Sequence, residues 1–320
     1  MYDAITDVAG IEIGHAEDLD TLTGCTVVLC REGAVVGVDV RGLAPGTRET
    51  DLCRPGSLVE RAHAIFLTGG SAFGLDAVAG VMRFLYEGDI GFDTGIVKVP
   101  IVPAAVIFDL ALGAIAWPDP DMAHDACSRA EAGDFRQGCV GAGTGATVGK
   151  VLGPARATKS GLGSASVRVA GITVAALMVV NAFGNVVVPD SDSILAGARD
   201  PRTGSFVDAE EVLRQREEFP TVGTNTTIGV VATDAALRSD QVHRLASVAH
   251  DGIARTIRPS HTLVDGDTIF ALATGHMPGE AFGRLLGLHS AAVEATQRAI
   301  VKAVELATPA GGLPAATEVR

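Results

Sequence analysis

Four short runs of mostly apolar, often β-branched residues constrain this chain more than anything else in it: Cys25 to Leu29, Ala34 to Val40, Ile172 to Val180 and Val186 to Val188. Each is too short for an exposed helix and reads as a strand buried on one or both faces. With 39 glycines against 14 aromatics (11 Phe, 2 Tyr and 1 Trp), the core they build consists of Val, Ile, Leu and Ala, served by tight turns and close backbone approaches.

Helical signals are fewer. Asp76 to Tyr86 follows the glycine-containing turn Gly69 to Gly74, and Val207 to Glu218 forms a charged helix that ends before Pro220. Ser239 is placed to cap a helix running to about Arg258, and Ser290 another running to Leu306, with the strand Thr268 to Ala273 between them. Ile228 to Thr233 supplies one more strand, so the C-terminal third reads strand, helix, strand, helix, with a tail expected to fray from Thr308. Strands inside and helices outside predict a layered α/β or α+β body, without fixing the strand order. A length of 320 residues by itself leans towards two domains.

Hydrophobic residues make up 47 % and charged residues 20 %, with a mean hydropathy of +0.32, which excludes a disordered chain or a disulfide scaffold. A net charge of −13 repels phosphodiester backbones and anionic lipid heads, so no nucleic acid and no membrane partner is expected. The two most apolar stretches are broken by Pro103 and Asp109 and by Asn181 and Asn185, which argues against membrane spans. The start lacks a basic leader before an apolar run, and the expected location is the cytoplasm. Five cysteines without CxxC spacing read as reduced, mostly buried thiols.

Several familiar motifs fail on inspection. Gly141 to Lys150 satisfies G-x-G-x-x-A on paper, but Arg136 to Val140 is a poor entry strand for a dinucleotide loop. A phosphate loop would need glycine where Thr144 stands and Ser or Thr where Val151 stands. Ser71 lacks the second glycine of a nucleophile elbow, because Phe73 occupies it. The eight histidines form no HExxH and no acid-flanked triplet, so no metal site is expected.

Asn225-Thr226-Thr227-Ile228 is more informative, because a polar linker there runs directly into an apolar strand. A hydroxyl following a strained peptide bond can attack the carbonyl before it, giving an ester that water cleaves. The new chain then begins with threonine, whose free α-amine, with a pKa of about 7.7 to 8, lies beside its own hydroxyl. An ordinary turn is the local alternative. Downstream, Asp265-Gly266-Asp267 places two carboxylates on one tight turn at a strand start, where they could orient an ammonium or a hydroxyl. Loop solvation or a cation site explains the same pattern.

Taken in order, Gly46 to Asp51, Leu67 to Leu75, Ala105 to Asp109, Gly141 to Lys150, Asn225 to Ile228 and Asp265 to Thr268 resemble the P1 family of self-processing peptidases, which includes L-aminopeptidase/D-esterase, β-peptidyl aminopeptidases and 6-aminohexanoate (nylon) oligomer hydrolases. The resemblance implies a layered αββα body of the aminopeptidase/ornithine acetyltransferase fold, an N-terminal-nucleophile-type α+β fold, forming one domain over residues 1–320. It implies self-cleavage between Asn225 and Thr226 into fragments 1–225 and 226–320, assembled as a homo-oligomer, tetramer or larger. Carried over residue by residue, Thr226 is the nucleophile, Asn181 donates to the oxyanion, and Lys150 lies near the nucleophile, although as a plain sequence position Lys150 also fits a solvated loop. Asp265 and Asp267 match the acidic pair of the nylon hydrolase branch, which also favours threonine at the cut. Phe108 departs from the family pattern, standing where many members have a tyrosine whose hydroxyl reaches the oxyanion region.

The implied activity is cofactor-free hydrolysis of an amide in a small molecule or peptide: linear aliphatic oligoamides or unusual peptides. An aminopeptidase or pantetheine-type hydrolase is the nearest alternative, with acetyl transfer further off. An uncleaved ligand-binding or structural protein, with Asn225-Thr226 as a linker turn, is the alternative of another class.

Overall fold

The computed structural model describes residues 1–215, 225–278 and 282–319. Its principal sheet has nine strands: β1 (Glu12–Asp18), β2 (Thr23–Val40), β3 (Thr47–Arg48), β4 (Arg61–Thr68), β5 (Ala104–Val106), β6 (Leu162–Val169), β7 (Ile172–Asn181), β8 (Thr226–Ala236) and β9 (Thr268–Pro278). Their order is β6-β7-β8-β9-β2-β4-β5-β3, with β1 also paired to β2. Neighbours are antiparallel except β8 with β9 and β4 with β5. Strands from both sides of the Asn225-Thr226 bond therefore share one hydrogen-bonded sheet.

The two runs expected as separate strands, Cys25 to Leu29 and Ala34 to Val40, are one strand of 18 residues, β2. Its first part pairs with β1 and β4 and its last part with β9, and its register against β4 shifts between Leu29 and Ala34. Such an irregularity bends a strand without breaking it. Bent at β2, the sheet folds over on itself into two packed layers.

Side-chain alternation proves the layering. Leu177 and Val179 of β7, Ile228 and Val230 of β8, and Phe270 and Leu272 of β9 point inward, against Val28, Ile65 and Leu67 of the other half. Their neighbours Ala176, Met178, Val231, Ile269 and Ala271 face outward onto α4 (Ser239–Thr256) and α5 (Phe282–Glu305). On the far side Val27, Ala64 and Phe66 pack on α1 (Val78–Glu87) and α2 (Pro120–Ser128). The body is thus α, β, β, α in section, a mixed sheet with helices on both outer faces. Close packing of α5 depends on Gly163, where a Cβ would lie 2.2 Å from the Ala299 carbonyl oxygen.

Several expected boundaries move. The helix placed at Val207 to Glu218 is Ala209–Gln215, α3, because the Asp208 carboxylate accepts from the backbone N–H groups of Glu210 and Glu211 and so caps it. Residues 216–218 of that expectation, with the linker up to 224, lie outside the described residues. Ser290 is interior to α5 rather than its cap, since nothing breaks the helix upstream of it. The tail does not fray from Thr308. Gly311 (φ 59°) and Gly312 (φ 78°) allow a tight turn closed by mutual hydrogen bonds between Ala310 and Leu313, Leu313 packs with Leu112 and Ala157, and Pro314 accepts from the Lys159 N–H at 2.9 Å.

The glycine-rich segment 141–150 is buried and holds a single 3-10 turn, Gly141–Gly143, and a two-residue strand, Thr147–Val148. Its glycines serve close packing: a Cβ on Gly145 would lie 2.4 Å from Asp109 Cβ. All five cysteines are free, and four are buried. Among the described residues, no helix is long and apolar enough to cross a membrane.

Candidate active site

Thr226 opens β8 directly opposite Asn181, the last residue of β7. Facing residues of an antiparallel pair project to the same side. Thr226 has the parity of Ile228 and Val230, and Asn181 that of Leu177 and Val179, so both side chains sit at one end of the inter-sheet core. Both are buried, Thr226 at 5 % exposure and Asn181 at 0 %.

A polar side chain in that position must be fully partnered. Asn181 Oδ1 accepts from Lys150 Nζ at 2.7 Å and from the Thr147 N–H at 3.1 Å, and its Nδ2 donates to the Phe108 carbonyl at 3.1 Å. Lys150 Nζ also donates to the Asn181 backbone carbonyl at 2.8 Å. The carboxamide thereby links the end of β7 to the segment following β5, across the two layers. One Nδ2 hydrogen is left over among the described residues.

Lys150 is buried, not solvated. Desolvation pulls its ammonium down from an ordinary 10.5 to about 7, against the opposing pull of the Asp265 and Asp109 carboxylates. With two hydrogens held by Asn181, a near-neutral amine keeps one position for a proton or a lone pair.

The peptide groups on either side of Thr226 are gripped by the turn before β9. The Gly266 N–H donates to the Asn225 carbonyl at 3.0 Å, and the Thr226 hydroxyl also donates to that carbonyl. The Thr227 N–H donates to Asp267 Oδ1 at 2.7 Å. Asp267 Oδ2 accepts from the His261 N–H at 3.1 Å and from its ring Nδ1 at 2.7 Å. Asp265 accepts from the Phe183 N–H at 3.2 Å and from the Thr262 N–H at 3.1 Å and hydroxyl. Burial, followed by the Asp267 charge, raises Asp265 from 3.8 to about 6. Loop solvation does not describe either acid, because they are 1 % and 2 % exposed.

A cavity of about 270 Å³ adjoins this cluster, with Thr147, Lys150 and Phe108 in its wall. Apolar groups dominate the rest, including Ala111, Leu112 and Leu313. Asp109 also lines it, its carboxyl raised by burial and held by the Gly70 N–H and the Thr23 hydroxyl.

The structure therefore brings Asn225, Thr226, Asn181, Lys150 and the Phe108 backbone together. Asp267 braces that backbone through the Thr227 N–H, Asp265 holds Phe183 and Thr262 beside it, and neither carboxylate is hydrogen bonded to the Thr226 side chain. Thr147, Gly266 and His261 were not singled out from sequence. Gly266 stood there only as a turn former, and His261 only as a histidine outside any cluster. Among the described residues, no three His, Cys, Asp or Glu side chains could hold a metal ion.

The profile of peptidase family S58 matches residues 3–317. An uncharacterized aminopeptidase of Mycobacterium tuberculosis is 43 % identical over 345 aligned positions, which span 97 % of this chain and 96 % of that protein. A 6-aminohexanoate-oligomer endohydrolase of Agromyces sp. is 33 % identical over 289 positions, spanning 87 % of this chain and 78 % of that enzyme. Among solved structures, an L-aminopeptidase D-Ala-esterase/amidase from Ochrobactrum anthropi, described as a variant of the Ntn hydrolase fold, superposes with a TM-score of 0.74 at 22 % identity. That superposition covers 98 % of this chain and 88 % of that one, and it establishes the fold.

Proposed function

This chain belongs to peptidase family S58, and from that premise we propose that it is an amide hydrolase that cuts itself between Asn225 and Thr226 and then uses Thr226 as its nucleophile. The observation carrying this reading is the Thr226 hydroxyl lying against the carbonyl of Asn225, with that carbonyl already accepting from the Gly266 N–H.

In self-cleavage, Thr226 Oγ1 adds to the Asn225 carbonyl carbon while its proton passes to a base. The near-neutral Lys150 amine, fixed on Asn181, suits that task. Gly266 stabilises the charge developing on oxygen. The carbon–nitrogen bond then breaks, the nitrogen takes the proton, and water hydrolyses the resulting ester.

Turnover repeats this chemistry on a substrate amide. The liberated α-amine, ordinarily near pKa 7.7 to 8, takes the Oγ1 proton and returns it to the leaving nitrogen. The free Nδ2 hydrogen of Asn181 donates to the oxyanion, an interaction worth about 3 to 4 kcal/mol where it has been removed from other enzymes. The Phe108 backbone carbonyl orients Asn181 by accepting from its Nδ2, and the phenyl ring supplies no hydroxyl donor to the oxyanion region.

The small, largely apolar cavity suits a short aliphatic segment, in keeping with the name of the 33 % identical oligomer hydrolase. A second reading, removal of a residue from a peptide's amino end, draws on the 43 % identity to the mycobacterial aminopeptidase and on Asp109 as a carboxylate in the cavity wall. Chromatography of products from a 6-aminohexanoate tetramer and from a tetrapeptide separates the two. Thr226→Ala is expected to stop both self-cleavage and turnover; a variant that still matures and hydrolyses would place the nucleophile elsewhere.

A further inference from the structure

Cutting before Thr226 turns a strand's first residue into a chain terminus, and termini fray unless something ties them down. After the cut the hydrogen bond from the Gly266 N–H to Asn225 no longer holds the chain that begins at Thr226, because Asn225 then belongs to the other fragment. On the β9 side, Asp267 keeps its grip on the Thr227 N–H, one residue into the new chain. The ladder between β8 and β9 begins at the Ile228–Thr268 pair, with an isolated bridge before it at Asn225–Asp265, and Asp267 holds the stretch between the two through the Thr227 N–H.

A carboxylate can do this reproducibly only if its own rotation is fixed. His261 fixes it twice, through the backbone N–H at 3.1 Å and the ring Nδ1 at 2.7 Å, both to Asp267 Oδ2. An ionised carboxylate only accepts, so Nδ1 carries the proton. The arrangement holds His261 in the left-handed region (φ 54°), uncommon for a residue with a side chain, and leaves its buried Nε2 without a partner among the described residues. His250, whose ring centroid lies 5.0 Å from that of His261, is turned to the Asp39 carbonyl instead.

We propose that His261 is a positioning residue for Thr226, acting through Asp267 to hold the new N-terminus in its reactive place. The inference rests on the reading of Thr226 as nucleophile. His261 touches neither substrate nor the reacting atoms in this role. It governs how often the amine and hydroxyl of Thr226 stand correctly, so its loss lowers kcat while KM stays nearly unchanged.

Two substitutions separate this from a merely structural part. His261→Gly keeps the left-handed backbone and removes the ring donor. His261→Asn tolerates the same backbone and puts an amide donor where Nδ1 was. Each is purified as the full chain, matured, and assayed on an amino-acid p-nitroanilide or the 6-aminohexanoate trimer, whichever the unsubstituted protein cleaves faster.

His261→Gly should lose roughly 10- to 100-fold in kcat, and His261→Asn should recover to within about threefold of the unsubstituted protein. Unchanged kcat in His261→Gly, a loss expressed in KM alone, or equal loss in both variants overturns the proposal. Should His261→Gly fail to mature, the Asn variant decides alone: near-normal kcat supports the inference and a large loss ends it. Thr226→Ala runs beside them, and if it stays active the nucleophile assignment falls regardless of how His261 behaves.

Discussion

Two lysines nine residues apart, Lys150 and Lys159, are both buried, and desolvation lowers the pKa of each. What they hold differs. Lys159 Nζ is enclosed by backbone carbonyls, those of Ser160 at 2.7 Å, Ala146 at 2.9 Å and Gly143 at 3.4 Å. Three acceptors call for three hydrogens, so the site asks for an ammonium and ties the glycine-rich segment to the strand beside it. Lys150 meets two acceptors, both on Asn181, and borders a cavity. Burial makes an amine unusual, but only an open valence beside a reachable space makes it reactive.

The contrast breaks most sharply under paired substitution. Lys150→Met should leave a folded protein that neither matures nor turns over, with activity down by roughly 10³-fold or more, as for loss of a base and its electrostatic support. Gel analysis and an amide assay read this; a Lys150→Met protein that matures normally removes Lys150 from the chemistry. Lys159→Met should act on stability instead, leaving buried carbonyls unpartnered at a cost of about 3 kcal/mol or more, visible as a lower urea midpoint. A stable but inactive Lys159→Met protein would erase the distinction.

Smaller effects follow from pH. Lys150 titrates near 7 when folded against 10.5 ordinarily, so between those values the unfolded chain binds more protons and stability rises with pH. Urea midpoints of the unsubstituted protein should therefore climb from pH 7 to pH 10 relative to Lys150→Met. Asp265 runs the other way. Its folded value of about 6 lies above the ordinary 3.8, so the folded chain binds more protons in that window and stability falls as pH rises through it. Asp265→Asn should flatten that fall, and an unchanged slope would mean that another group titrates there. Smallest of all, Leu313→Ala should leave self-cleavage intact and change the preference between short and long amides by a few fold, about 1 kcal/mol, since it enlarges the cavity by a few methyl groups.

Of the candidate site, Thr226 at the junction of linker and strand and the acid pair on a glycine turn stand out chemically in the sequence, whereas Asn181 and Lys150 are reached only through the family resemblance. What sequence spacing cannot supply is strand order, and only the pairing of β7 with β8 puts Asn181 across from Thr226. Gly266 acts through its backbone, which no side chain announces. His261 depends on a left-handed turn that folds it back onto Asp267, so it looks isolated in the chain. In the fold, the long β2 was hidden because a bulge interrupts its apolar pattern, and the anchored tail because its partners lie far off in sequence.

The most direct test is the intact mass of purified, active protein under denaturing conditions. Two species meeting at the Asn225-Thr226 bond, the smaller opening on threonine, are predicted, whereas active material consisting only of the unbroken chain would contradict the account.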